Sequence, residues 1–184
     1  MIAIVAVLFV SSPILRSAAT VNSFEQAKTM SDQYAARVNS DLRVAEIEEW
    51  SNNFYIRVQE KSTTINAFEL LIDKSTGRIG PEPGPNMMWN TKYGMMGSMM
   101  GRSIGTSTNN MSVNPNKAVE IAQSWLDTNF PTAEVDEAET FYGHYTLDFS
   151  KDGNTAGMLS VNGYTGAVWF HSWHGAFMGA EEYS

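Results

Sequence analysis

Seven of the eleven methionines lie between Met87 and Met111, as the pairs Met87/Met88, Met95/Met96 and Met99/Met100 followed by Met111. Thioether sulfur is a soft, neutral donor that suits Cu(I), and because it carries no proton it stays a ligand at any pH. In the stretch MMGSMM the spacings Met96-x-x-Met99 and Met95-x-x-x-Met99 let two or three sulfurs converge, with Gly97 giving the backbone freedom to fold round an ion. Methionine is also a flexible apolar filler, so the same residues would serve to pack over a sheet or to offer an adaptable surface to a partner protein. The charges of this region, Glu82, Lys92 and Arg102, do not separate the two readings.

A second cluster closes the chain, VWFHSWHGAFMG, with His171 and His174 inside an aromatic run. Continued as a strand, it places Trp169, His171 and Trp173 on one face and Phe170, Ser172 and His174 on the other, so the imidazoles diverge. A turn at 171–174 would bring them together as a ligand pair, and imidazole with thioether is a copper set. The candidate metal ligands are therefore Met87, Met88, Met95, Met96, Met99, Met100, His171 and His174, with Cu(I) as the ion. His144, alone in FYGHYTL, is expected to be structural or exposed.

Catalysis finds little support. The chain has no Gly-x-Ser-x-Gly, no His-Glu-x-x-His and no phosphate-binding glycine loop. Its lack of cysteine removes thiolate nucleophiles, disulfides and Cys-based metal sites. The acids of EVDEAE, among them Glu134, Asp136 and Glu139, read as solvated residues of an exposed strand and turn. A non-enzyme is the expectation. The net charge of −8 arises wholly after residue 111, where ten acids face only Lys117 and Lys151, and no basic run offers itself to phosphates, so nucleic acid is not an expected partner.

The elements that would position these residues repeat at a spacing of about 90 residues. SFEQAKTMSDQYAARV spaces Phe24, Ala27, Met30, Tyr34 and Val38 as one helical face behind Ser23, and NPNKAVEIAQSWLDTNF does the same with Ala118, Ile121, Ala122, Trp125 and Leu126 behind Pro115. Alternating segments follow each helix: LRVAEIEEW, NFYIRVQE and INAFELLID, then AEVDEAETFY, HYTLDFS and AGMLSVNG. Each series closes on a polar turn with Thr-Gly, IDKSTGRI at 72–79 and VNGYTGAV at 161–168, where Gly77 and Gly166 supply positive φ. WNTKYGMM at 89–96 and WFHSWHGAFM at 169–178 follow these turns as related extensions, which could lie on equivalent surfaces or each cover the sheet of the other unit.

The expected fold is α+β, two tandem units each of one helix packed on a small antiparallel sheet. The expected boundaries are 20–80 and 115–184, joined by the Met-rich segment 81–114. Residues 1–19 read as a secretion signal, with an apolar run from Ile2 to Val10 and Ser17 and Ala19 before a cut at Thr20, or as an uncleaved N-terminal membrane anchor. An exported location follows: periplasmic, extracellular, or anchored and facing outward.

A helix followed by a sheet whose last hairpin carries Asp-x-x-Thr-Gly-x-[Ile/Val] resembles the PepSY domain. The residues are LLIDKSTGRIG at 70–80 and, more loosely, LSVNGYTGAVW at 159–169, where Asn162 replaces the acid and Gly163 is extra. With the helices the resemblance covers about 23–80 and 115–170. It implies an exported module that binds or inhibits rather than catalyses, with a peptidase or envelope protein as partner, and it carries no catalytic residues over. MMGSMM is similar to the methionine motifs of copper transporters and exported copper-handling proteins, from which its paired, glycine-spaced arrangement departs. Two functions result: a soft-metal-binding module, or a metal-free peptidase inhibitor or envelope interaction module.

Overall fold

A computed structural model describes residues 20–95 and 111–184. The signal or anchor expected at 1–19, and Met96, Met99 and Met100 of the proposed sulfur set, lie outside the described residues. The fold is α+β, with two antiparallel sheets and few helices.

Helix α1 (Phe24–Val38) starts where the Ser23 hydroxyl accepts a hydrogen bond from the Gln26 amide at 3.3 Å, satisfying one of the amides a helix start leaves free. Its buried side is Ala27, Ser31 and Ala35. It lies on β1 (Leu42–Trp50) and β2 (Asn53–Glu60), which continue antiparallel into β3 (Asn66–Asp73) and the short β4 (Ile79–Pro81). A one-turn helix α2 (Pro85–Met88) follows. The second long helix, α3 (Pro115–Asn129), is capped by Asn114 accepting from the Lys117 amide at 2.9 Å and buries Ala118, Ala122 and Leu126. It contacts β5 (Glu134–Val135), β7 (His144–Lys151), β8 (Asn154–Asn162) and β9 (Val168–Phe170). The expected strand AEVDEAETFY is only β5 and the two-residue β6 (Glu139–Thr140), both on β7.

The end of the expected unit 115–184 does not stay with the second sheet. The last strand, β10 (Phe177–Glu182), leaves the second sheet and pairs with β1, giving the first sheet the order β10-β1-β2-β3-β4. The physical reason is the free edge of β1, whose unpaired amides and carbonyls accept another strand.

One irregularity in β1 decides which side chains reach the centre of the molecule. Leu42, Val44, Glu46, Glu48 and Trp50 share parity, yet a bulge between Val44 and Glu46 inserts Ala45 as an unpaired residue. Leu42, Val44 and Ile47 therefore join the α1 core with Phe54 and Ile56, while Glu48 and Trp50 turn to the opposite face with Tyr55. In the second sheet Tyr145, Leu147, Phe149, Leu159 and Val161 face α3, which leaves His144, Thr146, Met158 and Ser160 on the other side. These two faces meet: Trp50 and Tyr55 pack with Met158, Thr146 hydrogen-bonds Glu69, and Arg57 pairs with Glu139 at 2.9 Å.

The closing turns are alike in detail. Asp73 Oδ1 accepts from the amides of Ser75 and Thr76, and Asn162 Oδ1 accepts from those of Tyr164 and Thr165. Gly77 (φ 64°) and Gly166 (φ 72°) then donate to the carbonyls of Asp73 and Asn162. Asparagine replaces the acid without loss of the turn because only an acceptor oxygen is required.

Candidate metal centre

Glu82 follows β4 in the sequence GPEPGP, and its amide donates to the Glu69 carbonyl at 3.0 Å, extending the β3–β4 ladder by one step. Asn86 closes the segment onto β3: its Oδ1 accepts from the Glu69 amide, and its Nδ2 donates to the Glu69 carbonyl at 2.9 Å. The Glu82 side chain is thereby buried completely. On the other side β9 ends at Phe170, the His171 amide donates to the Met158 carbonyl, and a turn at Ser172 and Trp173 reverses the chain. Asn52 and Asn53 hold that turn by donating from Nδ2 to the Trp173 carbonyl, both at 3.1 Å. Gly175 (φ 88°) allows a close approach, since a Cβ there would lie 2.1 Å from Ser51 Oγ.

The turn points both imidazoles at Glu82. His171 Nδ1 is 3.3 Å and His174 Nε2 is 3.1 Å from Glu82 Oε1, and Trp173 Nε1 donates to the same oxygen at 3.0 Å. His171 stacks on Trp173 and His174 on Trp50, at centroid separations of 4.8 and 4.9 Å. The ligand atoms of the three residues lie within 4.8 Å of one another, and among the described residues no other group of three or more His, Asp and Glu does so.

Hydrogen-bond partners assign the ring nitrogens. Asn53 uses its amide nitrogen on Trp173, so its Oδ1 faces His174 Nδ1 at 2.9 Å and that nitrogen carries the hydrogen. Ser160 Oγ lies 2.9 Å from His171 Nε2. Glu82 Oε2, His171 Nδ1 and His174 Nε2 are left buried with no hydrogen-bond partner. Such atoms are uncommon in folded proteins and need an occupant or a charge to compensate them. Burial disfavours charge on Glu82, but the facing histidines outweigh it and hold its carboxyl well below the usual range. Burial likewise opposes imidazolium at His171, yet the Glu82 charge reverses this and raises its titration.

Of the eight residues expected to bind metal, the described ones divide. His171 and His174 converge, on a carboxylate rather than on sulfur. Met87 lines an apolar groove with Tyr34, Val38, Phe68 and Tyr93, while Met88 and Met95 are more than half exposed. His144 is buried, stacked on Phe141 and 3.2 Å from Glu69 Oε2, a structural placement. The extensions after the two hairpins each reach the other half: Asn52 and Asn53 hold Trp173, and the Thr91 amide donates to the Tyr142 carbonyl. Glu82 was not distinguishable in the sequence. An acid between prolines reads as loop, and its partners lie about 90 residues away.

A second polar feature lies where the sheets meet. Glu46, Glu48, Arg57, Asp136, Glu139 and Asp148 line a cleft of about 200 Å³. Glu139, expected to be solvated, is half-buried and accepts from Arg57 and Asn66. Glu48 of the first sheet and Asp148 of the second are within hydrogen-bonding reach of each other, and burial raises both, Glu48 well above its ordinary value.

Comparison with models of known protein families, with curated proteins and with solved structures returned no match. Among the described residues no helix is long and apolar enough to cross a membrane.

Proposed function

We propose that this chain is an exported, non-catalytic binding protein that holds one transition-metal ion between Glu82, His171 and His174. The observation that carries this reading is the convergence of three buried residues: His171 Nδ1 and His174 Nε2, neither with a hydrogen-bond partner, face Glu82 Oε1, and Oε2 of the same carboxylate is also without one. Ligands bound at about 2.0–2.1 Å in a tetrahedral arrangement stand ~3.3 Å apart. The separations of 3.3 and 3.1 Å from Glu82 Oε1 fit that spacing. Two imidazoles and a carboxylate suit a borderline divalent ion, Zn²⁺ or Cu²⁺, better than Cu(I), and the free Glu82 Oε2 offers a further oxygen. Cu(I) remains the ion for the sulfurs of Met87 to Met100, as a separate site.

The matched turns at Asp73 and Asn162, each after a helix and antiparallel strands, support a reading of the chain as two copies of a PepSY-like unit. Regulation of a peptidase or binding of an envelope protein rests on that resemblance alone.

Calorimetric titration of metal-stripped protein with Zn²⁺ and Cu²⁺ tests the site. One equivalent should bind to the wild type and be lost in Glu82→Gln and His174→Ala, while variants of Met87 and Met88 leave it unchanged. Equal affinity in Glu82→Gln would exclude the buried triad.

A further inference from the structure

We propose that Glu69, whose carboxylate meets none of the triad side chains, is the positioning residue that decides which nitrogen of His171 is presented to Glu82. The affinity part of this proposal rests on the metal reading above; the tautomer part stands without it.

Glu69 sits on β3, on the face away from α1, and is fully buried. Its Oε1 accepts from Tyr55 Oη at 3.1 Å and from Thr146 Oγ1 at 2.5 Å. A hydroxyl has one hydrogen to give. Thr146 gives its hydrogen to Glu69, so toward Ser160 Oγ, 3.2 Å away, it only accepts. Ser160 therefore donates to Thr146, and toward His171 Nε2, 2.9 Å away, it in turn only accepts. His171 Nε2 must then carry the ring hydrogen, and Nδ1 is left bare, facing Glu82 Oε1 at 3.3 Å. The polarity of the whole chain follows from the acceptor at its far end. Because Glu69 belongs to the first sheet and Thr146 and Ser160 to the second, the ligand form of His171 also depends on how the two sheets dock.

Breaking the chain releases the opposite polarity. In Thr146→Val the Ser160 hydroxyl loses its acceptor and can donate to His171 Nε2, which moves the ring hydrogen to Nδ1, where an ion would have to displace it. Glu69→Met removes the acceptor at the head of the chain, which frees Thr146 to donate to Ser160 and Ser160 to donate to His171 Nε2. Thr146→Ser keeps the hydroxyl and should keep the polarity.

Long-range ¹H–¹⁵N spectra of the imidazoles in the metal-free protein, recorded on the alkaline side of the His171 titration, report which nitrogen bears hydrogen. Nε2–H is expected for His171 in the wild type and Thr146→Ser, and Nδ1–H in Thr146→Val and Glu69→Met. Zn²⁺ affinity should fall roughly 10–100-fold in the latter two, the range of losses seen when a partner behind a ligand is removed. Thr146→Ser should bind as the wild type does. Nδ1–H in the wild type overturns the proposal, as does an unchanged tautomer in Thr146→Val, which serves if Glu69→Met does not fold. A wild type with Nε2–H that binds no Zn²⁺ upholds the relay and removes the metal reading instead.

Discussion

Replacing Asp148 by asparagine should make this protein more stable at neutral and alkaline pH and leave it unchanged in acid. Asp148 on β7 meets Glu48 on β1 across the junction of the two sheets. Burial is the main cause that pushes Asp148 up, to about 7 from an ordinary 3.8; a hydrogen bond from Glu48 works against the rise, Glu46 and Asp136 add to it, and His171 opposes it. Glu48 is also raised, mainly by burial, and because their mutual hydrogen bond raises Glu48 and lowers Asp148, Glu48 carries the shared proton. Among the described residues Arg57 is the only cation lining the cleft, and it is committed to Glu46 and Glu139. A carboxyl raised in the folded state holds its proton there more tightly than in the unfolded chain. Its contribution to stability is therefore complete below about pH 4 and is lost as pH rises to about 7. A gap of about three pH units, at 1.36 kcal/mol each, sets a ceiling of about 4 kcal/mol. Asparagine has no charge to bury and still accepts from the Glu48 proton. Urea unfolding of both proteins from pH 4 to pH 8 should show curves that coincide at the acid end and separate by about 2–4 kcal/mol at the alkaline end, in favour of Asp148→Asn. A constant difference across that range, or a less stable variant at pH 8, would refute the buried carboxyl pair.

A saturating ion, at about 100 times its Kd, should add about 2.7 kcal/mol and raise the melting temperature by roughly 5–11 °C, an effect absent from Glu82→Gln. Metal affinity should weaken as pH falls through the raised titration of His171, because proton and ion compete for Nδ1, and calorimetry at several pH values reads this directly. Deleting Ala45 removes the bulge and forces Glu46 and Glu48 toward the α1 core or Val44 away from it, so the deletion should lose cooperative unfolding by circular dichroism. Asn162→Asp should match the wild type in thermal unfolding, whereas Asn162→Ala should cost about 1 kcal/mol through two lost hydrogen bonds to amides.

Much of the scaffold was legible because its signals are local. The periodicity behind Ser23 and Pro115 marks two helices, alternation marks β1, β2, β3, β7 and β8, and Thr-Gly marks the turns that Gly77 and Gly166 close. Each depends on residues a few positions apart, which is the range over which backbone hydrogen bonding acts. The acid-rich stretch from Glu134 misled for the same reason: its alternation suggests one strand, while the structure forms two fragments of two residues each.

The sequence by itself determined the element types, the positions of the turns and the presence of two histidines able to converge if the chain turned at 171–174. Tertiary structure alone decided that it does turn there, because Asn52 and Asn53 of the first half capture the Trp173 carbonyl. It also selected Glu82 over every other acid as the third member, and set the Glu69, Thr146 and Ser160 chain behind His171. These residues are separated by tens of positions and meet only when the helix-free faces of the two sheets close on one another. Burial then turns an ordinary glutamate and two ordinary histidines into a site, since desolvation leaves their unpaired atoms in need of an ion or a proton.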